Sequence, residues 1–256
     1  MIMLANYKEE RAAFVQLWER QCQKPILLLC GQSGCGKTSL LKHCHQTAPP
    51  EKVFRVFLNC KRDGINPAEV FSLAANHAGR DKLPAFSQCL RQHNVEIRDN
   101  QIEGNSNQIS VVLGSGSEQE RKERLVWLTN AWLQDINQLD RPLLLVVDTY
   151  EKAEAALQSW LESVIARLPR ACSQLRMVIA GQKIPDTNTV EDWANHCCEY
   201  ELKGVHEPEH WLPVAEGLCK KVPGESPLDC LRGICLAMRG NPAGIISLIR
   251  AFPSLP

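Results

Sequence analysis

An α/β fold built on a parallel sheet is predicted by three features of the 256-residue sequence. Short apolar runs recur along the chain, stretches of helical periodicity separate them, and the runs are continuously apolar rather than alternating. Continuous runs of strand length suit strands buried on both faces, and strand–helix alternation implies right-handed crossovers.

The elements follow in order. Asn6 with Glu9 reads as a capping box, after which Phe14, Leu17, Trp18 and Cys22 recur at helical spacing. Pro25 then admits the first strand, Ile26–Cys30, and a glycine-rich segment separates it from the helical pattern opened by Leu40 and Leu41. The second strand is expected over 53–58, between Pro49-Pro50 and a polar stretch ending at Gly64. Between Asn94 and Gly116 the chain turns Asn-rich, with Val95 and Ile97 on one side of residues 104–107 and Ile109, Val111 and Leu113 on the other, which predicts an inserted hairpin. Ser117 and Glu120 form a second capping box, and Leu125, Leu128, Trp132 and Ile136 give its helix. Pro142 precedes the third strand, Leu143–Asp148. Ala153, Leu157, Trp160, Leu161, Val164 and Leu168 then trace one helix face. A fourth run, 177–180, ends at Gly181, and a fifth possible strand lies at 198–202. From Leu212 to Ile249 the pattern is helical only, broken at Pro223-Gly224 and at Gly240-Asn241-Pro242, so a boundary is expected near residue 205.

Composition excludes several classes. With 44% hydrophobic and 23% charged residues the chain is globular rather than disordered or fibrous. Its 29 basic and 29 acidic residues give a net charge of +0, so bulk charge lends no support to nucleic-acid binding. No apolar run approaches the ~20 residues of a membrane helix, and the first residues lack a basic start with an apolar core. Twelve cysteines spread through apolar segments without C-x-x-C read as reduced thiols of a cytoplasmic protein. His43-Cys44-His45 diverge on a helix, and His196-Cys197-Cys198 with His206 and His210 lack zinc-ribbon spacing, so neither reads as a metal site.

Residues 31–38, Gly-Gln-Ser-Gly-Cys-Gly-Lys-Thr, match G-x-x-x-x-G-K-[ST] directly after a buried strand and before a helix. The chemistry of phosphate binding needs this pattern. Glycines let successive backbone N–H groups wrap a phosphate, a lysine supplies a point charge, and a hydroxyl meets Mg²⁺. Gly31, Ser33, Gly34, Cys35, Gly36, Lys37, Thr38 and Ser39 are therefore candidate nucleotide-binding residues, with Lys37 also in a catalytic role. Asp148, ending an apolar strand 110 residues after Thr38, is expected to hold Mg²⁺ beside that threonine. Glu151 is the candidate for orienting the attacking water, although no acid follows Asp148 directly. Gln182, after the fourth strand, is placed near the γ-phosphate. Asn-Lys-x-Asp, the usual guanine signature, is absent where it belongs, so ATP or ADP is the expected nucleotide.

The whole arrangement resembles the STAND class of signal-transduction ATPases, related to NACHT, NB-ARC and AAA+ modules. The resemblance rests on a leading helix with Asn6-Tyr7, the loop at 31–38, the strand ending Asp148-Thr149-Tyr150-Glu151, the strand ending Ala180-Gly181, and Gly240-Asn241-Pro242. It implies a P-loop NTPase with five parallel strands in the order 5-1-4-3-2 and a C-terminal helical lid. Residues 1–205 would form the nucleotide-binding domain, with the hairpin insertion at 94–116, and 206–256 the lid. It also implies that Pro242 contacts the adenine side of the nucleotide. The expected function is an ATP-binding, slowly hydrolysing molecular switch in signalling or defence. It would work with separate or fused effector and sensor domains and assemble with copies of itself when nucleotide is bound. The alternative is a constitutive AAA+ ATPase of the origin-recognition kind.

Overall fold

The structure is a computed structural model that describes residues 4–62, 65–92, 97–98, 110–111, 117–188 and 193–255, with backbone alone at 97–98, 110–111, 168–171 and 193. The first half runs α1 (Lys8–Trp18), β1 (Ile26–Cys30), α2 (Lys37–Thr47), β2 (Phe54–Asn59), α3 (Pro67–Ala78), α4 (Pro84–Gln92), β3 (Ile97–Arg98) and β4 (Ser110–Val111). The second runs α5 (Glu118–Asn137), β5 (Leu143–Asp148), α6 (Ala155–Ala171), β6 (Leu175–Gly181), α7 (Trp193–His196), β7 (Cys197–Glu201), α8 (Leu212–Gly217), α9 (Pro227–Ala237) and α10 (Pro242–Ala251).

The main sheet has the order β2-β5-β6-β1-β7, and every neighbouring pair is parallel. This is the expected order of five strands, read from the opposite edge. Both faces are covered, as continuous apolar runs require. Ile26 and Leu28 of β1 join one core with Phe71, Trp132 and Trp160 from α3, α5 and α6. Leu27 and Leu29 join another with α1, α2 and the C-terminal helices, through Phe14, Leu40, Trp211, Leu231 and Ile245. The last three helices thus pack onto the sheet through a shared apolar core. The turn before α10 is also tied to the end of the sheet, where Val205 N–H donates to Gly240 O at 2.8 Å.

Several local expectations changed. The helix α1 is capped by Tyr7 in the left-handed region (φ 77, ψ 39) with no side-chain cap bond, so Asn6 and Glu9 make no capping box there. The reason lies in the tyrosine itself, whose hydroxyl donates to Cys35 O. The Ser117–Glu120 box is present: Ser117 N–H donates to Glu120 Oε2 at 2.7 Å and Glu120 N–H to Ser117 Oγ at 3.3 Å. Of the expected hairpin, β3 and β4 pair antiparallel with Ile97 opposite Val111, while Val95, Ile109 and Leu113 lie outside the described residues. Among the described residues no helix is long and apolar enough to cross a membrane.

His45 on α2 gives the fold an acid sensitivity. Its ring packs edge-on to Phe57 with centroids 5.4 Å apart, and burial, followed by the charges of Arg55 and His77, pulls its pKa from 6.5 down to about 4. The unfolded chain therefore binds this proton more readily than the folded one. Stability is expected to fall as pH drops from about 6.5 to about 4 and to level off below. Melting curves across that range check this, and His45→Phe should flatten the dependence.

Candidate functional site

The carboxyl ends of the parallel strands converge where β1 passes into the loop at 31–38, the edge at which open α/β sheets bind ligands. Gly34 (φ 81) and Gly36 (φ 93) both lie in the left-handed region, which lets the chain reverse and enter α2 at Lys37. The N-terminus of α2 then points unpaired N–H groups and a partial positive charge at this edge.

Every carbonyl from Gly31 to Cys35 has a donor. Lys37 Nζ donates to Gly31 O at 2.6 Å and to Gln32 O at 2.9 Å. Asn241 Nδ2 donates to Ser33 O at 3.2 Å, Ala243 N–H to Gly34 O at 3.1 Å, and Tyr7 to Cys35 O. The last three donors come from outside the loop, from the start of α10 and the start of α1. Because a trans peptide sets its C=O and N–H on opposite edges, holding Ser33 O and Cys35 O outward turns the N–H groups of Gly34 and Gly36 the other way.

Beside the loop, Thr38 Oγ1 donates to Asp148, 2.8 Å from Oδ2 and 3.1 Å from Oδ1. Asp148 is 1% exposed at the end of β5, and Thr149 follows in the left-handed region (φ 62). A short 3-10 turn, Tyr150–Lys152, then swings Glu151 toward the end of β6. Its Oε2 accepts from the Gln182 N–H at 3.0 Å and its Oε1 lies 3.4 Å from Gln182 Nε2. Gly181 permits this approach, since a Cβ there would lie 2.5 Å from Glu151 Oε2. Nearby, burial first, then the charges of Asp148, Glu151 and Glu69, push the Cys60 thiol up to about 12.

These groups surround a cleft of about 270 Å³. Of the residues expected from sequence, Ser33, Gly34, Gly36, Lys37, Thr38, Ser39, Glu151, Gln182 and Pro242 line it together. Gly31, Cys35 and Asp148 do not line it; Gly31 holds Lys37, Cys35 is buried behind the loop, and Asp148 lies beneath Thr38. Pro242 lies on the loop side of the cleft, next to Ala243 on Gly34 O. Lys61, Thr149, Ala243 and Ile246 also line the cleft and were not expected. The sequence places Lys61 two residues after the second strand, but it is the sheet register, with Asn59 opposite Asp148, that brings it to the same edge. Tyr7 and Asn241 stood only among the residues that carry the family resemblance, with no role assigned to either, because the contacts that give them one lie 28 and 208 residues away in sequence.

The Thr38–Asp148 pair suits a hard divalent cation, since both side chains offer oxygens from one point. Asp148→Asn is expected to weaken Mg²⁺-dependent ATP binding at least about tenfold while leaving metal-free ATP binding unchanged. Calorimetry with and without EDTA separates the two, and equal losses in both would exclude a metal role.

Comparison with known proteins bears on the family and the fold. The family model described as the AAA ATPase domain matches residues 8–179. No curated protein matches the chain. Among solved structures, the Walker-type ATPase PABY2304 of Pyrococcus abyssi is similar with a TM-score of 0.53 at 14% identity, over 96% of this chain and 67% of that one. The Aeropyrum pernix Orc1 protein, solved in complex with DNA, has a TM-score of 0.53 at 16% identity, over 98% and 60%. AMPPCP-bound DnaA from Aquifex aeolicus has a TM-score of 0.51 at 12% identity, over 98% and 62%. At these identities the likeness is one of fold, and the chain spans about 60–67% of the length of these three proteins.

Proposed function

The chain belongs to the AAA ATPase domain family, and from that premise we propose that it is an ATP-binding, Mg²⁺-dependent ATPase module of the AAA+ kind, of the type represented by the origin-recognition ATPases. The observation that carries the proposal is the single cleft in which Lys37, Thr38 and the loop glycines face Glu151 and Gln182. On this reading the loop N–H groups and Lys37 bind the β- and γ-phosphates. Thr38 and Asp148 would hold Mg²⁺, which when bound neutralises charge on the phosphate oxygens. Glu151, fixed by Gln182, orients water and takes its proton as attack on the γ-phosphate begins. Gln182, able to pair with Glu151 and to face the cleft, reads whether a γ-phosphate is there.

One observation favours a second reading, the STAND-type switch. The first turn of α10 bonds directly to Ser33 and Gly34, so a nucleotide that shifts the loop shifts the C-terminal helices with it. On that reading residues 206–256 act as a lid, and self-assembly and effector domains follow the nucleotide state. In either reading the twelve free thiols favour a reducing, cytoplasmic setting.

Steady-state turnover with Mg·ATP, together with hydrogen exchange over 208–251 in the ATP and ADP forms, tests the choice. Turnover approaching the ~1–100 s⁻¹ of phosphoryl-transfer enzymes, with equal exchange in both forms, supports the constitutive ATPase. Turnover orders of magnitude slower with distinct exchange supports the switch. Absence of ATP binding overturns both.

A further inference from the structure

Tyr7 is an outlier on two counts. It holds a left-handed backbone (φ 77, ψ 39), which bulky side chains rarely adopt, and it is 6% exposed at a helix start where it makes no cap bond. Such a conformation persists only where surrounding structure holds it. Here the ring sits in the apolar core shared by α1, α2 and the sheet, and the hydroxyl ends on Cys35 O. The fit to the loop is close: a Cβ on Gly36 would lie 2.9 Å from the Tyr7 hydroxyl oxygen. Burial, then the neighbouring Cys35 and Glu10, raise the phenol pKa, so the hydroxyl stays a neutral donor at all physiological pH values.

The carbonyls of Ser33 and Gly34 are held from α10, whereas that of Cys35 is held from α1. The peptide joining Cys35 to Gly36 carries the Gly36 N–H on its opposite edge, and Gly36 lines the cleft. We propose that Tyr7 is a positioning residue of the phosphate loop: by anchoring Cys35 O it presents the Gly36 N–H to a phosphate oxygen, and it spends the strain of its own backbone in doing so. The proposal rests on the nucleotide reading of the cleft. It makes the segment preceding α1 part of the nucleotide site although no atom of Tyr7 lines it.

Tyr7→Phe keeps the ring and removes only the donor. Its Kd for Mg·ATP is expected to rise about tenfold, the scale of one lost buried hydrogen bond, and the ATP-induced rise in Tm to shrink with it. At saturating ATP, kcat should stay within about twofold, placing the loss in KM. Tyr7→Gly relaxes the backbone but also lacks the hydroxyl, and it should lose at least as much affinity. A Tyr7→Phe protein that melts earlier yet binds ATP with parental affinity overturns the proposal, as does full affinity in Tyr7→Gly. The parent is measured alongside, so failure of the parent to bind ATP overturns the nucleotide reading itself and is distinct from a variant that binds normally.

Discussion

Lys37→Ala is expected to weaken ATP binding by at least about a hundredfold, with the apo protein melting as the parent does. The ammonium is the one formal charge that the loop itself supplies to the phosphates, and truncating a charged partner of a desolvated anion costs about 2–5 kcal/mol, or roughly 1.5–3.5 powers of ten. Its bonds in this structure run to Gly31 O and Gln32 O, and its side chain takes no part in either apolar core. Loss of the side chain therefore removes a ligand for phosphate without opening a cavity. Isothermal calorimetry with Mg·ATP, paired with thermal melts, measures both halves. Parental affinity in the variant would end the phosphate-loop assignment.

Glu151→Gln should separate chemistry from binding. A general base contributes about 10²–10⁴-fold to turnover, and the amide oxygen of glutamine can still accept the Gln182 N–H that now meets Glu151 at 3.0 Å. The site keeps its shape and loses the group that takes the proton. ATP affinity is expected within about twofold of the parent while hydrolysis falls by at least about a hundredfold. Unchanged turnover, followed by phosphate release, would assign Glu151 to holding the ends of β5 and β6 together and nothing more.

Local signals were sufficient for most of the fold. The runs at Ile26–Cys30 and Leu143–Asp148 became strands at those bounds because continuous apolar side chains have no other place than a sheet covered on both faces. The other runs moved by a residue or two: the second strand is Phe54–Asn59, the fourth Leu175–Gly181, and the fifth Cys197–Glu201. Strand ends are set by pairing rather than propensity, as β2 shows by running in register with β5 from Phe54 opposite Leu143 to Asn59 opposite Asp148. The helix starts divide in the same way. Ser117 and Glu120 cap α5 through atoms three residues apart, whereas the cap expected from Asn6 and Glu9 gave way to a tyrosine recruited by the loop.

The sequence by itself determined the α/β class, the phosphate-loop segment, and the side chains Lys37, Thr38, Asp148, Glu151 and Gln182. Each of these is encoded by residue type within a few positions of a strand end, so spacing along the chain is the physical constraint. Only the tertiary structure decided which of them share a cleft, that Asp148 lies beneath Thr38, and that Lys61 joins them across the paired strands β2 and β5. It alone brought Asn241, Ala243 and Tyr7 onto three consecutive loop carbonyls. A backbone carbonyl is the same group at every residue. Which donor satisfies it is therefore decided by where the fold brings α1 and α10, and no local pattern carries that information.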